Sequence, residues 1–218
     1  MRSTHLVAPS ILSCDFGRLR DEVQAVEAVG ADLIHVDVMD GRFVPNITLG
    51  PIIVEAVRRS TKLPIDVHLM IVEPEKYIAD FVAAGASIVS VHAEVCPHLH
   101  RTLEQIRSVG AKPSVALTPS TPLAAVEEIV GEVDQILLMS VNPGFGGQKF
   151  IEATVEKVRR LRALLNARGL THVDIELDGG INAETARKVV SAGGTVLVAG
   201  NSIFRSPDYA AAMTQLRL

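Results

Sequence analysis

Two histidines and two aspartates, His35, Asp37, His68 and Asp178, stand near the ends of apolar runs that read as buried strands. In Leu33-Ile34-His35-Val36-Asp37-Val38, side chains alternate with period two. His35 and Asp37 therefore share one face, and Ile34, Val36 and Val38 take the other. The run Ile65-Asp66-Val67-His68-Leu69-Met70 puts Asp66, His68 and Met70 together, and Ile175-Glu176-Leu177-Asp178 does the same for Glu176 and Asp178. Any one such residue is ordinarily a capping or hydrogen-bonding group. Four of them aimed inward from three strands need a shared partner, because buried charge is costly unless it is paired or metal-bound. One divalent cation satisfies them all. Two imidazoles and two carboxylates suit zinc, iron(II), cobalt or manganese, with positions left open for substrate oxygens. Asp66 and Glu176 fall one layer deeper and read as groups that hold His68 or a neighbouring ligand in orientation rather than as ligands.

Glycine supplies a second constellation. Ser140-Val141-Asn142-Pro143-Gly144-Phe145-Gly146-Gly147-Gln148-Lys149 holds more turn formers than a minimal strand-to-helix connection requires, which suits a loop built to move or to cradle. Asp178-Gly179-Gly180-Ile181 and Ala199-Gly200-Asn201-Ser202 follow the last two strand runs. There a parallel barrel commonly binds phosphate through backbone N–H groups. A phosphorylated small substrate is the expectation.

Elements must carry these groups to one place. Apolar runs near 6–12, 32–38, 64–70, 87–92, 113–117, 134–140, 172–178 and 194–199 alternate with amphipathic stretches such as 17–29 and 149–168. The first of these stretches has Leu19, Val23 and Val26 at helical spacing. Small-residue stops, Val29-Gly30-Ala31, Ala84-Gly85-Ala86, Val109-Gly110-Ala111 and Ala192-Gly193-Gly194, mark helix ends before the next strand. Eight strand-helix pairs imply an α/β fold with a closed parallel barrel, whose strand ends gather into one mouth. No composition shift or linker marks a second domain, so residues 1–218 read as one.

Composition narrows the function further. A formal net charge of −4 with no Lys/Arg block leaves no positive field for phosphate backbones, so nucleic acid is excluded as a partner. No apolar run reaches bilayer-spanning length and none near the start resembles a signal peptide, so a cytoplasmic chain is expected. Cys14 and Cys96 form no CxxC pair and are expected to be buried, reduced thiols. Cys96-Pro97-His98-Leu99-His100 looks like a metal cluster on paper, but it opens a helix, where residues two apart do not share a face.

The segments Ala8-Pro9-Ser10-Ile11-Leu12-Ser13, His35 to Asn46, Asp66-Val67-His68-Leu69-Met70, Met139 to Gln148 and Asp178-Gly179-Gly180-Ile181 closely resemble the ribulose-phosphate 3-epimerase family. The resemblance spans essentially the whole chain. It implies a single-domain (β/α)8 TIM barrel that interconverts D-ribulose 5-phosphate and D-xylulose 5-phosphate in the pentose phosphate pathway. Carried over by residue, the metal ligands fall on His35, Asp37, His68 and Asp178. Substrate contacts fall on Ser10, His68, Gly144, Phe145, Gly146, Gly147, Asp178, Gly179, Gly180, Gly200 and Asn201. The family's usual Gly-Ser after the eighth strand is here Gly200-Asn201-Ser202, which keeps a backbone contact and loses a hydroxyl at 201. Cys14 stands where an alanine is common, a packing variation.

Inverting a carbon beside a ketone needs one group to remove a proton from one face and another to return one to the opposite face. The resemblance assigns these roles to Asp37 and Asp178. Met39, Met70 and Met139 also fall at strand ends, where core packing is the first expectation and lining the reacting centre the second. The same chemistry on a phosphorylated hexulose such as D-allulose 6-phosphate is the alternative. A Schiff-base aldolase would want an inward lysine at a strand end. Lys62 and Lys112 instead precede strands, and Lys149 opens a helix. A related decarboxylase would want a D-x-K-x-x-D run, which the chain lacks. A catalytically silent sugar-phosphate sensor would not need paired carboxylates. An exposed apolar patch on outer helices would support a homo-oligomer.

Overall fold

The computed structural model describes residues 5–217. Eight strands form one parallel sheet: β1 (Leu6–Pro9), β2 (Ile34–Met39), β3 (Ile65–Met70), β4 (Ile88–His92), β5 (Lys112–Leu117), β6 (Gln135–Met139), β7 (Asp174–Asp178) and β8 (Val196–Ala199). Their order is β1-β8-β7-β6-β5-β4-β3-β2, and a parallel bridge from Ser10 to His35 brings the two ends together. The result is the single-domain (β/α)8 barrel the sequence pattern implies. The helices are α1 (Leu19–Ala28), α2 (Pro51–Arg58), α3 (Ile78–Ala83), α4 (Leu99–Ser108), α5 (Ala153–Ala167), α6 (Ala183–Ser191), α7 (Asn201–Phe204) and α8 (Tyr209–Leu216).

The helix after every strand fails once. Between β5 and β6 the chain makes two 3-10 turns, Leu123–Ala125 and Glu127–Ile129, where an α-helix was expected. Pro119 and Pro122 remove backbone donors and Gly131 adds a breaker, so no long amphipathic stretch can form. Leu123, Val126 and Val130 still bury their side chains in the outer core. The stretches 17–29 and 149–168 prove shorter as α1 and α5. Asp15 caps a separate 3-10 turn at Phe16–Arg18, and α5 begins only after a turn in which Ile151 N–H donates to Ser140 O. The first strand also ends early, at Pro9, because Ser10 starts a 3-10 turn over Ile11–Ser13.

The stops Gly30, Gly85, Gly110 and Gly193 all adopt positive φ, between 95° and 116°, as helix-ending glycines do. Apolar residues on the outward faces of the strands pack under the helices in one continuous core. The barrel interior is different. His35, Asp66, His68, Ser90, His92, Ser114 and Glu176 are all fully buried there, with Gln135 close to it. Small apolar clusters accompany this polar interior, among them one with Ala8, Ile88, Val196 and Val198 and another with Ala116, Leu137 and Met139.

Candidate metal and substrate centre

The β2–β3 register pairs His35 with Asp66, Asp37 with His68, and Met39 with Met70, so each inward layer of the two strands holds matched groups. His35, Asp37, His68 and Asp178 each offer one ligand atom, and these atoms lie within 4.8 Å of one another. Asp37 Oδ1 sits 3.3 Å from His35 Nε2 and 3.3 Å from His68 Nδ1, and Asp178 Oδ2 sits 3.5 Å from the same His68 nitrogen. Ser10 Oγ donates to the other Asp37 oxygen, Oδ2, at 2.6 Å.

His35 Nδ1 is 2.7 Å from Asp66 Oδ2, so that nitrogen carries the proton and donates it. In the neutral ring His35 Nε2 is then a bare lone pair, buried, without a hydrogen-bond partner and facing a carboxylate. An orphaned acceptor among acceptors is what a cation would relieve, and these four residues fit a divalent metal on that ground. Without a cation, a proton takes its place. Burial alone would lower the pKa of His35, but Asp37 and Asp66 outweigh it and hold it well above the ordinary imidazole value. For Asp37 burial pushes upward, and the imidazoles of His35 and His68 overcome it, holding the carboxyl well below its usual range.

Asp66 and Glu176 lie against His35 rather than His68, the ligand named first from the sequence. Glu176 Oε1 lies 3.5 Å from His35 Nδ1, and Gln135 Nε2 donates to Glu176 Oε2. Burial and the neighbouring Asp66 charge raise Glu176 well above the ordinary carboxyl value. His35, Asp66 and Glu176 also form a second cluster with ligand-like spacing.

Sequence reading missed His92 and Glu94. His92 Nε2 is 2.9 Å from His68 Nε2, and His92 Nδ1 is 3.0 Å from Glu94 Oε2. Burial first, then the neighbouring His68, pulls the His92 pKa down to about 4, so it is a neutral imidazole. The available signal was Ser90-Val91-His92, whose period-two spacing turns His92 inward at the strand end, as at the other site strands.

Above the cluster a cleft opens at the C-terminal mouth. Among its lining residues are Ser10, Asp37, Gly144, Phe145, Gly146, Gly147, Asp178, Gly179, Gly180, Gly200 and Asn201, together with Met39, Met70 and Met139. His35 and His68 lie beneath this surface, fully buried. The methionines are buried and line the cleft at once, so the two expectations for them coincide. Leu12 and Ser13, not singled out from sequence, line it too. Gly179 has φ +116°, and a Cβ there would fall 2.4 Å from Val141, so only glycine lets the β7 turn approach the β6 loop. At Gly147, φ is +74° and a Cβ would meet Asn201 Nδ2 at 2.6 Å, which places the Asn201 amide against the loop. Asn46 Nδ2 donates to Gly144 O at 3.0 Å, tying the segment after β2 to the same loop.

Other sequence candidates stay outside the centre. Cys14 and Cys96 are buried free thiols, and burial raises both to a pKa of about 12, so neither is a reactive thiolate. His100 pairs with Glu104 on the exposed side of α4, and among the described residues no metal-like cluster includes Cys96, His98 or His100. No helix of the described residues is long and apolar enough to cross a membrane.

Comparison with known proteins agrees with the geometry. In fold, a KGPDC from Streptococcus mutans superposes with a TM-score of 0.72 at 13% identity, covering 99% of this chain and 96% of the other. A 3-hexulose-6-phosphate synthase gives 0.65 at 19% identity over 98% of each chain. Both show the barrel alone. Sequence relatives are much nearer. The ribulose-phosphate 3-epimerase of Bacillus subtilis (strain 168) is 53% identical over 211 residues, 97% of each chain. That of Synechocystis sp. (strain ATCC 27184 / PCC 6803 / Kazusa) is 55% identical over 219 residues, spanning 100% of this chain and 95% of the other. The profile of the Ribulose-phosphate 3 epimerase family matches residues 6–204. With relatives aligned along nearly its whole length and the family profile covering residues 6–204, the chain belongs to the ribulose-phosphate 3-epimerase family.

Proposed function

We propose that this enzyme epimerises C3 of D-ribulose 5-phosphate to D-xylulose 5-phosphate through a planar enediolate, with one divalent ion (Zn, Fe(II), Co or Mn) held by His35, Asp37, His68 and Asp178. The observation that carries the reading is that two carboxylates from different strands, Asp37 and Asp178, both approach His68 Nδ1, at 3.3 and 3.5 Å, and both line a cleft walled by glycine turns. A bound cation would act as a Lewis acid toward the sugar oxygens.

The chain's own residues do the rest. Asp37 Oδ1 faces both imidazoles, so Oδ2, steadied by the Ser10 hydroxyl, is the atom left to take the C3 proton. Asp178 Oδ2 faces His68, which leaves Oδ1 to deliver a proton to the opposite face. The roles exchange in the reverse direction. Gly144, Phe145, Gly146 and Gly147 on one side, and Gly179, Gly180, Gly200 and Asn201 on the other, seat the phosphate and fix the sugar between the two acids. Buried methionines around the reacting carbon keep water from the carbanion. General acid-base transfer contributes about 10²–10⁴-fold, so most of the acceleration comes from positioning and charge stabilisation.

The test is exchange of the C3 hydrogen with deuterated water, run on five-carbon and six-carbon ketose phosphates. Wild type is expected to exchange and epimerise the pentulose phosphate, and Asp37→Asn to do neither while keeping its circular dichroism. A near-normal rate in Asp37→Asn would remove Asp37 from the mechanism, and preference for the hexulose phosphate would reassign the substrate.

A further inference from the structure

Behind His68, on the side away from the two carboxylates, a chain of hydrogen bonds runs outward that the epimerisation steps do not use. His68 Nε2 meets His92 Nε2 at 2.9 Å, His92 Nδ1 meets Glu94 Oε2 at 3.0 Å, and Glu94 Oε1 accepts from Thr118 N–H at 2.8 Å and from the Thr121 hydroxyl. Donor accounting places each proton. A carboxylate only accepts, so His92 Nδ1 must carry a proton, and a neutral His92 then has a bare Nε2. Two ring nitrogens 2.9 Å apart need one proton between them, so it belongs to His68 Nε2. The other ring nitrogen, His68 Nδ1, faces Asp37 Oδ1 at 3.3 Å and Asp178 Oδ2 at 3.5 Å, both of them proton acceptors.

Left alone, those two carboxylates would draw the proton of a neutral His68 onto Nδ1, the nitrogen the metal needs. We propose that His92 and Glu94 are positioning residues that lock His68 in its Nε2–H form and so keep Nδ1 open to a cation. The anchor is the main chain: Thr118 N–H fixes Glu94, and Lys157 Nζ donates to Thr118 O at 2.8 Å from α5. Phe43 packs its ring against His92 with centroids 4.7 Å apart, limiting ring rotation. This inference rests on the metal reading of the His35, Asp37, His68 and Asp178 cluster given above.

The test compares wild type with His92→Leu, Glu94→Gln and His92→Gln, each freed of metal by chelation. Mn²⁺ affinity is measured by calorimetry, and the His68 tautomer by ¹⁵N chemical shifts in the metal-free protein at a pH where that ring is neutral. Glu94→Gln is the sharpest variant. The Thr118 N–H claims its amide oxygen, so the amide NH2 faces His92 Nδ1, reverses the relay and sends the proton to His68 Nδ1. Removing an outer partner of a metal-binding histidine typically costs 10–100-fold in metal affinity, and a loss of about that size is expected for Glu94→Gln and His92→Leu. The ¹⁵N spectrum should show the change of tautomer in both. In His92→Gln an amide oxygen can accept from His68 Nε2–H, and affinity should return to within a few-fold of wild type. If Leu at 92 prevents folding, Glu94→Gln, at a partly exposed position, carries the comparison. Wild-type affinity and an unchanged tautomer in Glu94→Gln overturn the proposal. A wild-type protein that takes up no Mn²⁺ would instead bring down the cation reading itself, and this proposal with it.

Discussion

His35 has one nitrogen with a partner and one without, and that asymmetry could be read in advance only in part. Period two in Ile34 to Val38 turned His35 and Asp37 inward, and the same rule turned Asp66 and His68, because alternation is a local property of a strand. Which side chain serves which nitrogen depends on register between strands, so Asp66 proved to hold His35. His92 escaped notice for a related reason. Its partner Glu94 lies beyond the end of β4, and the Thr118 N–H that fixes Glu94 comes from a different loop. Lys157 is a further buried group that no local pattern announces. Burial lowers its pKa from 10.5 to about 8, although Glu94 nearby opposes the shift. Between about pH 8 and 10.5 the unfolded chain therefore binds more protons than the folded one, so folding stability gains as pH rises through that window. Below pH 8 the penalty is fully present. Melting curves of wild type and Lys157→Met should diverge accordingly, wild type gaining on the variant from pH 8 to 10. A constant difference across that range would mean that Lys157 keeps its ordinary pKa.

Elements were more legible than contacts. Strand positions followed from short apolar runs, and helix ends from four glycine stops that all adopt positive φ. The β5–β6 crossover was not legible as a pair of 3-10 turns, since apolar Leu123, Val126 and Val130 imitate helical spacing while two prolines forbid the helix. The β7–α6 turn shows how local chemistry places the site. Asn182 caps α6 in a reciprocal box with Thr185, directly after the Asp178-Gly179-Gly180 turn that lines the cleft. Removing that cap by Asn182→Ala should cost about 1 kcal/mol in urea unfolding. Gly179→Ala is expected to cost more. It forces a side chain into φ +116° and onto Val141, and strain of this kind is worth about 1–3 kcal/mol before the clash is counted. Combining Gly179→Ala with Val141→Ala should recover part of that loss. If the double variant is no more stable than Gly179→Ala alone, the Val141 contact contributes nothing and backbone strain accounts for the whole effect.

The whole molecule carries an unusual burden, a barrel filled with ionisable groups where apolar layers are common. His35, Asp66, His68, His92 and Glu176 are fully buried, and Asp37 nearly so. Such an interior is tolerable only if its charges are matched, and the pairs already described leave His35 Nε2, Asp66 Oδ1 and Glu176 Oε1 without hydrogen-bond partners, with His35 Nε2 on the inner face of the four-residue cluster. Folding and cation uptake should therefore be linked. A ligand that binds only the folded chain stabilises it by about 2.7 kcal/mol at a hundred times its dissociation constant. In a domain of this size each kcal/mol moves the melting temperature by about 2–4 °C, so chelated protein resupplied with Mn²⁺ at that excess should melt roughly 5–11 °C higher. His35→Ala removes a ligand and should abolish the Mn²⁺-dependent increment while lowering the metal-free melting temperature less than the loss of a well-packed core residue would. Because the increment is a difference between two states of one protein, it separates a cation's contribution from that of packing. A wild-type melting temperature indifferent to both chelator and Mn²⁺ would mean that protons alone balance the barrel's charge.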